Sequence, residues 1–163
     1  MNLALAQIEV EPARVDRNVE RAVGAIEKCA DRGAELVVLP ELFATGYFAF
    51  ENYSRTAESM GGSIHERIRS AAEDASVSVL AGTIVEDLEQ SARNGHRVPA
   101  ESGLANTAVL FDGDGRNRLV YRKHHLFGYD SRESDLLTPG EILETVDVGG
   151  FSVGVATCYD LRF

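Results

Sequence analysis

Phe151-Ser152-Val153-Gly154-Val155-Ala156-Thr157-Cys158-Tyr159-Asp160-Leu161-Arg162-Phe163 reads first as a strand and then as a turn. Phe151, Val153, Val155 and Thr157 fall on one side, and Ser152, Gly154, Ala156 and Cys158 on the other, the period-two pattern of an extended chain. Gly149-Gly150 stands in front of it, preceded by Ile142–Val148, so the two stretches predict a β-hairpin. The hairpin decides the fold class, because a simple doubly wound sheet separates its strands by helices. Further out, Asp112-Gly113-Asp114-Gly115 between Asn106–Phe111 and Arg118–Lys123 predicts a second hairpin, and Val77–Val85 another strand. Glu86–Leu104, polar and broken by Gly95, Pro99 and Gly103, reads as a surface loop without chemistry.

Toward the N-terminus the period changes. Ser63 with Glu66 predicts a capping box ahead of a helix whose stripe is Ile64, Ile68, Ala71, Ala72 and Ala75. Leu36–Leu39, apolar throughout and ended by Pro40, predicts a buried strand. Asp16 is the expected N-cap of a helix bearing Val19, Ala22, Val23, Ile26 and Ala30, with Gly33 as its stop. Leu3, Leu5 and Ile8 mark an opening strand. The chain is expected to be one α/β domain with a hairpin-rich second half.

In 163 residues, 26 Asp and Glu against 16 Lys and Arg give a formal charge of −10. No basic block offsets it, which argues against nucleic acid or an anionic membrane as partner. No apolar run approaches the roughly 18 residues of a membrane helix, and no signal peptide is legible, so a cytoplasmic protein is expected. Lys28 and Lys123 are the only lysines; many carboxylates with so little lysine is a composition associated with salt-rich cytoplasm. Cys29 and Cys158 lack the paired spacing of a zinc site and are expected as free thiols.

Reactive residues cluster where strands end. Glu41 follows Leu39-Pro40: partial burial would make it a proton acceptor, whereas at a helix start it would only complement the dipole. Lys123 ends a strand, as either an oxyanion stabiliser or a solubilising charge. His124 and His125, adjacent on an extended segment, point opposite ways and read as structural groups. Cys158, at a strand tip, is either a nucleophile near backbone N–H donors or a small buried hydrophobe; Cys29 beside its helical stripe fits the second description better. Glu133, in Arg132-Glu133 ahead of Pro139-Gly140, carries no signal by itself.

Taken in order, LALAQ at the start, LPELFATGY around Glu41, YRKHHLF around Lys123, the Arg-Glu…Pro-Gly loop at Glu133, and CYDLRF at Cys158 resemble the nitrilase superfamily of carbon–nitrogen hydrolases over the whole chain. The resemblance implies an α-β-β-α sandwich, no metal and no organic cofactor. It implies Cys158 as nucleophile, Glu41 as general base, Lys123 with the backbone N–H of Tyr159 as oxyanion stabilisers, and Glu133 positioning substrate and lysine. Tyr159-Asp160-Leu161-Arg162-Phe163 looks like the amidase-type members, the ω-amidase-like group included, so a small carboxamide is the expected substrate. A nitrile is the alternative, and Arg162 is either a partner for a substrate carboxylate or structural. The family's domain continues past its nucleophile. The resemblance therefore implies that residues 1–163 are the N-terminal portion of a single carbon–nitrogen hydrolase domain, with the C-terminal part missing, and that the full-length form is a homodimer or higher oligomer. A catalytically inactive fragment is the competing reading.

Overall fold

A computed structural model describes residues 1–129 and 131–163. In chain order the elements are β1 (Leu3–Leu5), α1 (Val15–Asp31), β2 (Leu36–Val38), a 3-10 turn (Phe50–Asn52) running into α2 (Tyr53–Thr56), α3 (Ser63–Asp74), β3 (Ser78–Asp87), α4 (Leu88–Arg93), β4 (Leu104–Phe111), β5 (Asn117–Arg122), α5 (Glu133–Leu136), β6 (Thr145–Val148), β7 (Phe151–Gly154) and a 3-10 helix at Cys158–Arg162. Strands β1 to β5 form one sheet in sequence order, parallel from β1 to β3 and antiparallel from β3 to β5. Strands β6 and β7 form the expected hairpin as a separate two-stranded sheet.

Alternation along the strands sorts the side chains into two layers. Val37, Val79, Ala81, Ile84, Val109 and Phe111 meet the stripes of α1 (Val19, Ala22, Ile26) and α3 (Ile64, Ile68, Ala71, Ala72). The opposite face, with Leu36, Ala108, Leu110, Leu119 and Tyr121, is covered by Val146, Val148 and Val155 of the β6–β7 hairpin segment. Helices, sheet and hairpin thus form the first three layers of the expected α-β-β-α order. Each helical stripe is buried because removing its methyls from water outweighs ordering the helix, at about 25 cal/mol per Å² of apolar surface.

Several local expectations are corrected. Asp16 does not cap α1: the N-cap is Arg14, without a side-chain cap bond, and Asp16 lies in the first turn. The Ser63–Glu66 box does not form either. Gly62 is the N-cap of α3, and the Glu58 carboxylate takes both the Ser63 hydroxyl (2.7 Å) and the Ile64 N–H (2.8 Å), freeing Glu66 to pair with Arg69. The stretch expected as a plain loop from Glu86 holds the end of β3 and the helix α4, capped by Asp87. In β7 the alternation is as expected except that Phe151, at the strand start, is 53% exposed.

Two buried features impose strict local conditions. A β-bulge interrupts the β3–β4 register between Ala81 and Ile84, and there the chain leaving β2 crosses directly over Gly82. A Cβ at Gly82 would lie 1.9 Å from the Pro40 carbonyl oxygen and 2.4 Å from that of Leu39. Gly82→Ala should therefore destabilise by about 1–3 kcal/mol or more, read as a lower urea midpoint at unchanged slope.

His65 on α3 is buried beneath Phe111, and neither ring nitrogen makes a well-aligned hydrogen bond. Desolvation lowers its pKa below the ordinary 6.5, only partly offset by the Glu86 charge and the Ser59 backbone. The unfolded chain therefore binds a proton here before the folded one does. Stability from the neutral ring is present above about pH 6.5 and is lost as pH falls through that value. His65→Leu should leave stability near neutral pH intact and flatten its decline toward about pH 5; an unaltered decline in urea titrations would contradict this.

Candidate active site

Three chain segments deliver one charged cluster to the end of the hairpin-facing side of the sheet. Glu41 follows Pro40, which ends β2. Leu42 takes a left-handed φ of 48°, and its N–H is received by Thr83 Oγ1 at 2.7 Å, so β3 sets the turn that aims the Glu41 carboxylate. Lys123 continues β5 by one residue: its N–H donates to the Asn106 carbonyl (2.9 Å) and its carbonyl accepts from Gly140 N–H (3.0 Å). Close approach at Gly140 is obligatory, since a Cβ there would lie 2.1 Å from the Arg122 carbonyl oxygen. Glu133, the first residue of α5, is fully buried.

The Lys123 ammonium, with no exposed surface, lies 2.8 Å from Glu41 Oε1 and 3.0 Å from each oxygen of Glu133. Asn106 Nδ2 bridges the same glutamates, 2.9 Å from Oε1 of each. Glu133 Oε2 also accepts the Phe127 N–H (2.8 Å) and the Tyr47 hydroxyl (3.4 Å). Burial alone would depress the Lys123 pKa, but the hydrogen bonds and charges of Glu41 and Glu133 outweigh it and hold the ammonium charged. Lys123 is thus neither a solubilising charge nor a free one.

Cys158 begins the 3-10 helix in a left-handed conformation, φ 51°, which exposes the thiol at the tip of the strand segment. A capping box between Thr157 and Asp160 holds that turn. Asp160 also accepts the Tyr121 hydroxyl, the His125 N–H (2.8 Å) and lies 3.1 Å from His125 Nδ1, so it ties the cysteine turn to β5 and to the residues just after Lys123. Desolvation works against the Asp160 anion, yet these donors keep its pKa low. His124 points elsewhere, its Nε2 meeting the Ile142 carbonyl oxygen at 3.2 Å, as expected of adjacent residues.

The thiol's ionisation differs from the expectation for a cysteine beside a lysine. Desolvation raises its pKa most, the Glu41 charge next; Lys123 opposes, and a hydrogen bond to Glu41 and the Glu133 charge add to the rise. The resting site therefore holds a protonated thiol beside a carboxylate.

The sequence-derived residues Glu41, Lys123 and Glu133 share hydrogen bonds, with Cys158 within the electrostatic reach of all three. Tyr159 presents its backbone in the first turn after Cys158, while its ring packs on Phe127 and Phe163. Arg162 is exposed and forms no ion pair among the described residues. Cys29 is half-buried against the helical core. Asn106, Tyr47 and Asp160 join the cluster without having been singled out beforehand. A signal existed for two of them: Thr157-x-x-Asp160 spells a capping box, and Asn106 is a polar residue on the same face as Ala108 and Leu110. Among the described residues no group of three or more His, Cys, Asp or Glu side chains is arranged to hold a metal ion, and no helix is long and apolar enough to cross a membrane.

Alkylation of Cys158 by iodoacetamide should follow a titration above the ordinary thiol range. Glu41→Gln, which removes a negative neighbour, should move it to lower pH, and Lys123→Met to higher pH, each changing the rate near neutrality several-fold. Shifts of the same sign in both variants would contradict this electrostatic account.

Residues 2–163 match the family Carbon-nitrogen hydrolase. The omega-amidase NIT2 of Homo sapiens is 33% identical over 168 residues, covering 99% of this chain and 55% of that protein. Nitrilase homolog 2 of Dictyostelium discoideum is 33% identical over 156 residues, 91% of this chain and 44% of its own. The structure of Saccharomyces cerevisiae Nit3, a member of branch 10 of the nitrilase superfamily, superposes with a TM-score of 0.81 at 28% identity over 99% of this chain and 56% of that one. An amidase from Nesterenkonia sp. shares the fold with a TM-score of 0.82 at 24% identity, over 100% of this chain and 57% of that one. The chain spans about half the length of the curated relatives it matches. With its sequence matched almost end to end and its fold shared with a superfamily member, the protein belongs to the carbon–nitrogen hydrolase family of the nitrilase superfamily.

Proposed function

We propose that this cluster hydrolyses a small carboxamide through a thioester on Cys158. The observation that carries the reading is the buried Lys123 ammonium shared between Glu41 and Glu133, with the Cys158 thiol near enough to feel the charges of all three. Glu41 takes the thiol proton as sulfur attacks the amide carbon, so the nucleophile is generated only as the bond forms. The carbonyl oxygen becomes an oxyanion. An ammonium has three N–H donors; Glu41 and the Glu133 carboxylate engage two directions and leave a third for that oxygen, joined by the Tyr159 N–H. The proton held by Glu41 passes to the leaving nitrogen, the C–N bond breaks, and ammonia departs. Water then attacks the thioester, giving its proton to Glu41, which returns it to sulfur as the acid leaves.

Glu133, accepting from Lys123, Asn106, Phe127 and Tyr47, holds the lysine in position. A carboxamide is favoured over a nitrile by Tyr159-Asp160-Leu161-Arg162-Phe163 and by the omega-amidase name of the human relative. Arg162, exposed beside the cysteine turn, is the group offered to a substrate carboxylate.

Ammonia release from a panel of small carboxamides tests the reading. The 163-residue chain should turn over at least one of them, Cys158→Ala none, and Lys123→Ala should lose roughly 10²–10³-fold. Equal rates for the parent chain and Cys158→Ala, or no release from either, would overturn it. Acid formed from a nitrile but not from the matching amide would replace the amidase assignment by a nitrilase.

A further inference from the structure

Asn106 stands on β4 between the two glutamates, fully buried, on the sheet face that also carries Ala108 and Leu110. Its amide nitrogen has two hydrogens, and both are committed: one to Glu41 Oε1 and one to Glu133 Oε1, each at 2.9 Å. The same two oxygens receive Lys123 Nζ at 2.8 and 3.0 Å. Its carbonyl oxygen Oδ1 is buried with no hydrogen-bond partner among the described residues. Flipping the amide would relieve nothing, because it would turn that oxygen toward two carboxylates. The side chain therefore presents both donors to the carboxylates while its acceptor has no partner among the described residues.

We infer that Asn106 is a positioning residue: by donating to Oε1 of both glutamates it fixes the two carboxylates around Lys123 and leaves Oε2 of Glu41 to take the proton from Cys158. The inference rests on the amidase reading above and deepens it. Each Oε1 accepts two N–H donors, from Asn106 and Lys123, so Glu41 has Oε2 left open. Glu133 Oε2 is closed in the same way by Phe127 N–H, Tyr47 O–H and Lys123. The two carboxylates, otherwise equivalent groups around one lysine, are thereby given different work. Glu41 is the proton carrier and Glu133 the fixed anion. The charged and titratable groups facing Asn106 are Glu41 from the end of β2, Lys123 from β5 and Glu133 from α5. The Tyr47 hydroxyl lies 3.4 Å from Glu133 Oε2, and the Cys158 thiol feels the charges of Glu41, Lys123 and Glu133.

Asn106→Leu keeps the side-chain volume, removes both donors and removes the orphaned acceptor, so it should unfold cooperatively like the parent. Its kcat on a carboxamide should fall about 10- to 100-fold with KM within about twofold, because Glu41 is no longer aimed at the thiol. A second readout needs no turnover. With Glu41 no longer held in place by Asn106, its charge bears less on the thiol. Alkylation of Cys158, located by peptide mass spectrometry, should then titrate at lower pH than in the parent. Should the leucine variant fail to fold, Asn106→Ser, which keeps one donor, should shift the same alkylation curve in the same direction by a smaller amount. An alkylation curve that superposes on the parent's would overturn the role of Asn106 whatever the turnover. Equal ammonia release by the parent and Cys158→Ala would overturn the amidase reading instead, leaving the alkylation result to decide on Asn106.

Discussion

A fully buried ammonium cannot be left without counter-charge, and Lys123 is where this chain meets that condition. Removing one partner from a buried ion pair costs about 3–5 kcal/mol, because the remaining charge has neither water nor a mate. The ends of β2 and β5 and the start of α5 must therefore arrive together: Glu41 comes from the first, Lys123 from the second, Glu133 from the third. The bonds add specificity more than stability, since an apolar trio of equal volume would fill the same space. What they exclude is any register of the β5 end that does not deliver Lys123 to both glutamates.

The sheet reinforces that register from its other face. Arg122, adjacent to Lys123 and therefore pointing oppositely, forms a bidentate pair with buried Glu86 on β3, at 2.7 and 2.8 Å, joined by the Thr107 hydroxyl. Two consecutive residues thus bolt the strand end through both of its faces, one pair lying among the helices' side of the core and the other in the candidate site. The chain's few buried charges are spent where one strand must stop at a defined residue.

How legible this was depended on where each residue's partner lay. Glu41, Lys123 and Cys158 were readable because strand ends can be located from short-range patterns, and strand ends are where side chains become available to a site. Glu133 was not readable from its surroundings; its significance comes wholly from contacts with residues distant in sequence. Asp160 stands in a four-residue capping signal beside the cysteine, but its reach to Tyr121 and His125 lies outside any local pattern. Glu86 was hidden by being assigned to a polar loop, when a strand continued through it to Asp87. Glu58 displaced the expected Ser63–Glu66 box because an acid six residues before Ile64 reached the same donors first, a competition invisible to a rule confined to four positions.

Asp160 joins the cysteine turn to Tyr121 of β5 and to His125, two residues beyond Lys123, while also accepting the Thr157 N–H of its own turn. The two halves of the candidate site are therefore fastened to each other, not each independently to the scaffold. The turn that bears the sulfur is thereby anchored to the strand that bears the ammonium, and not through the β6–β7 ribbon alone. A side chain three residues along a 3-10 turn thus sets the spacing within the candidate site more directly than the sheet packing does.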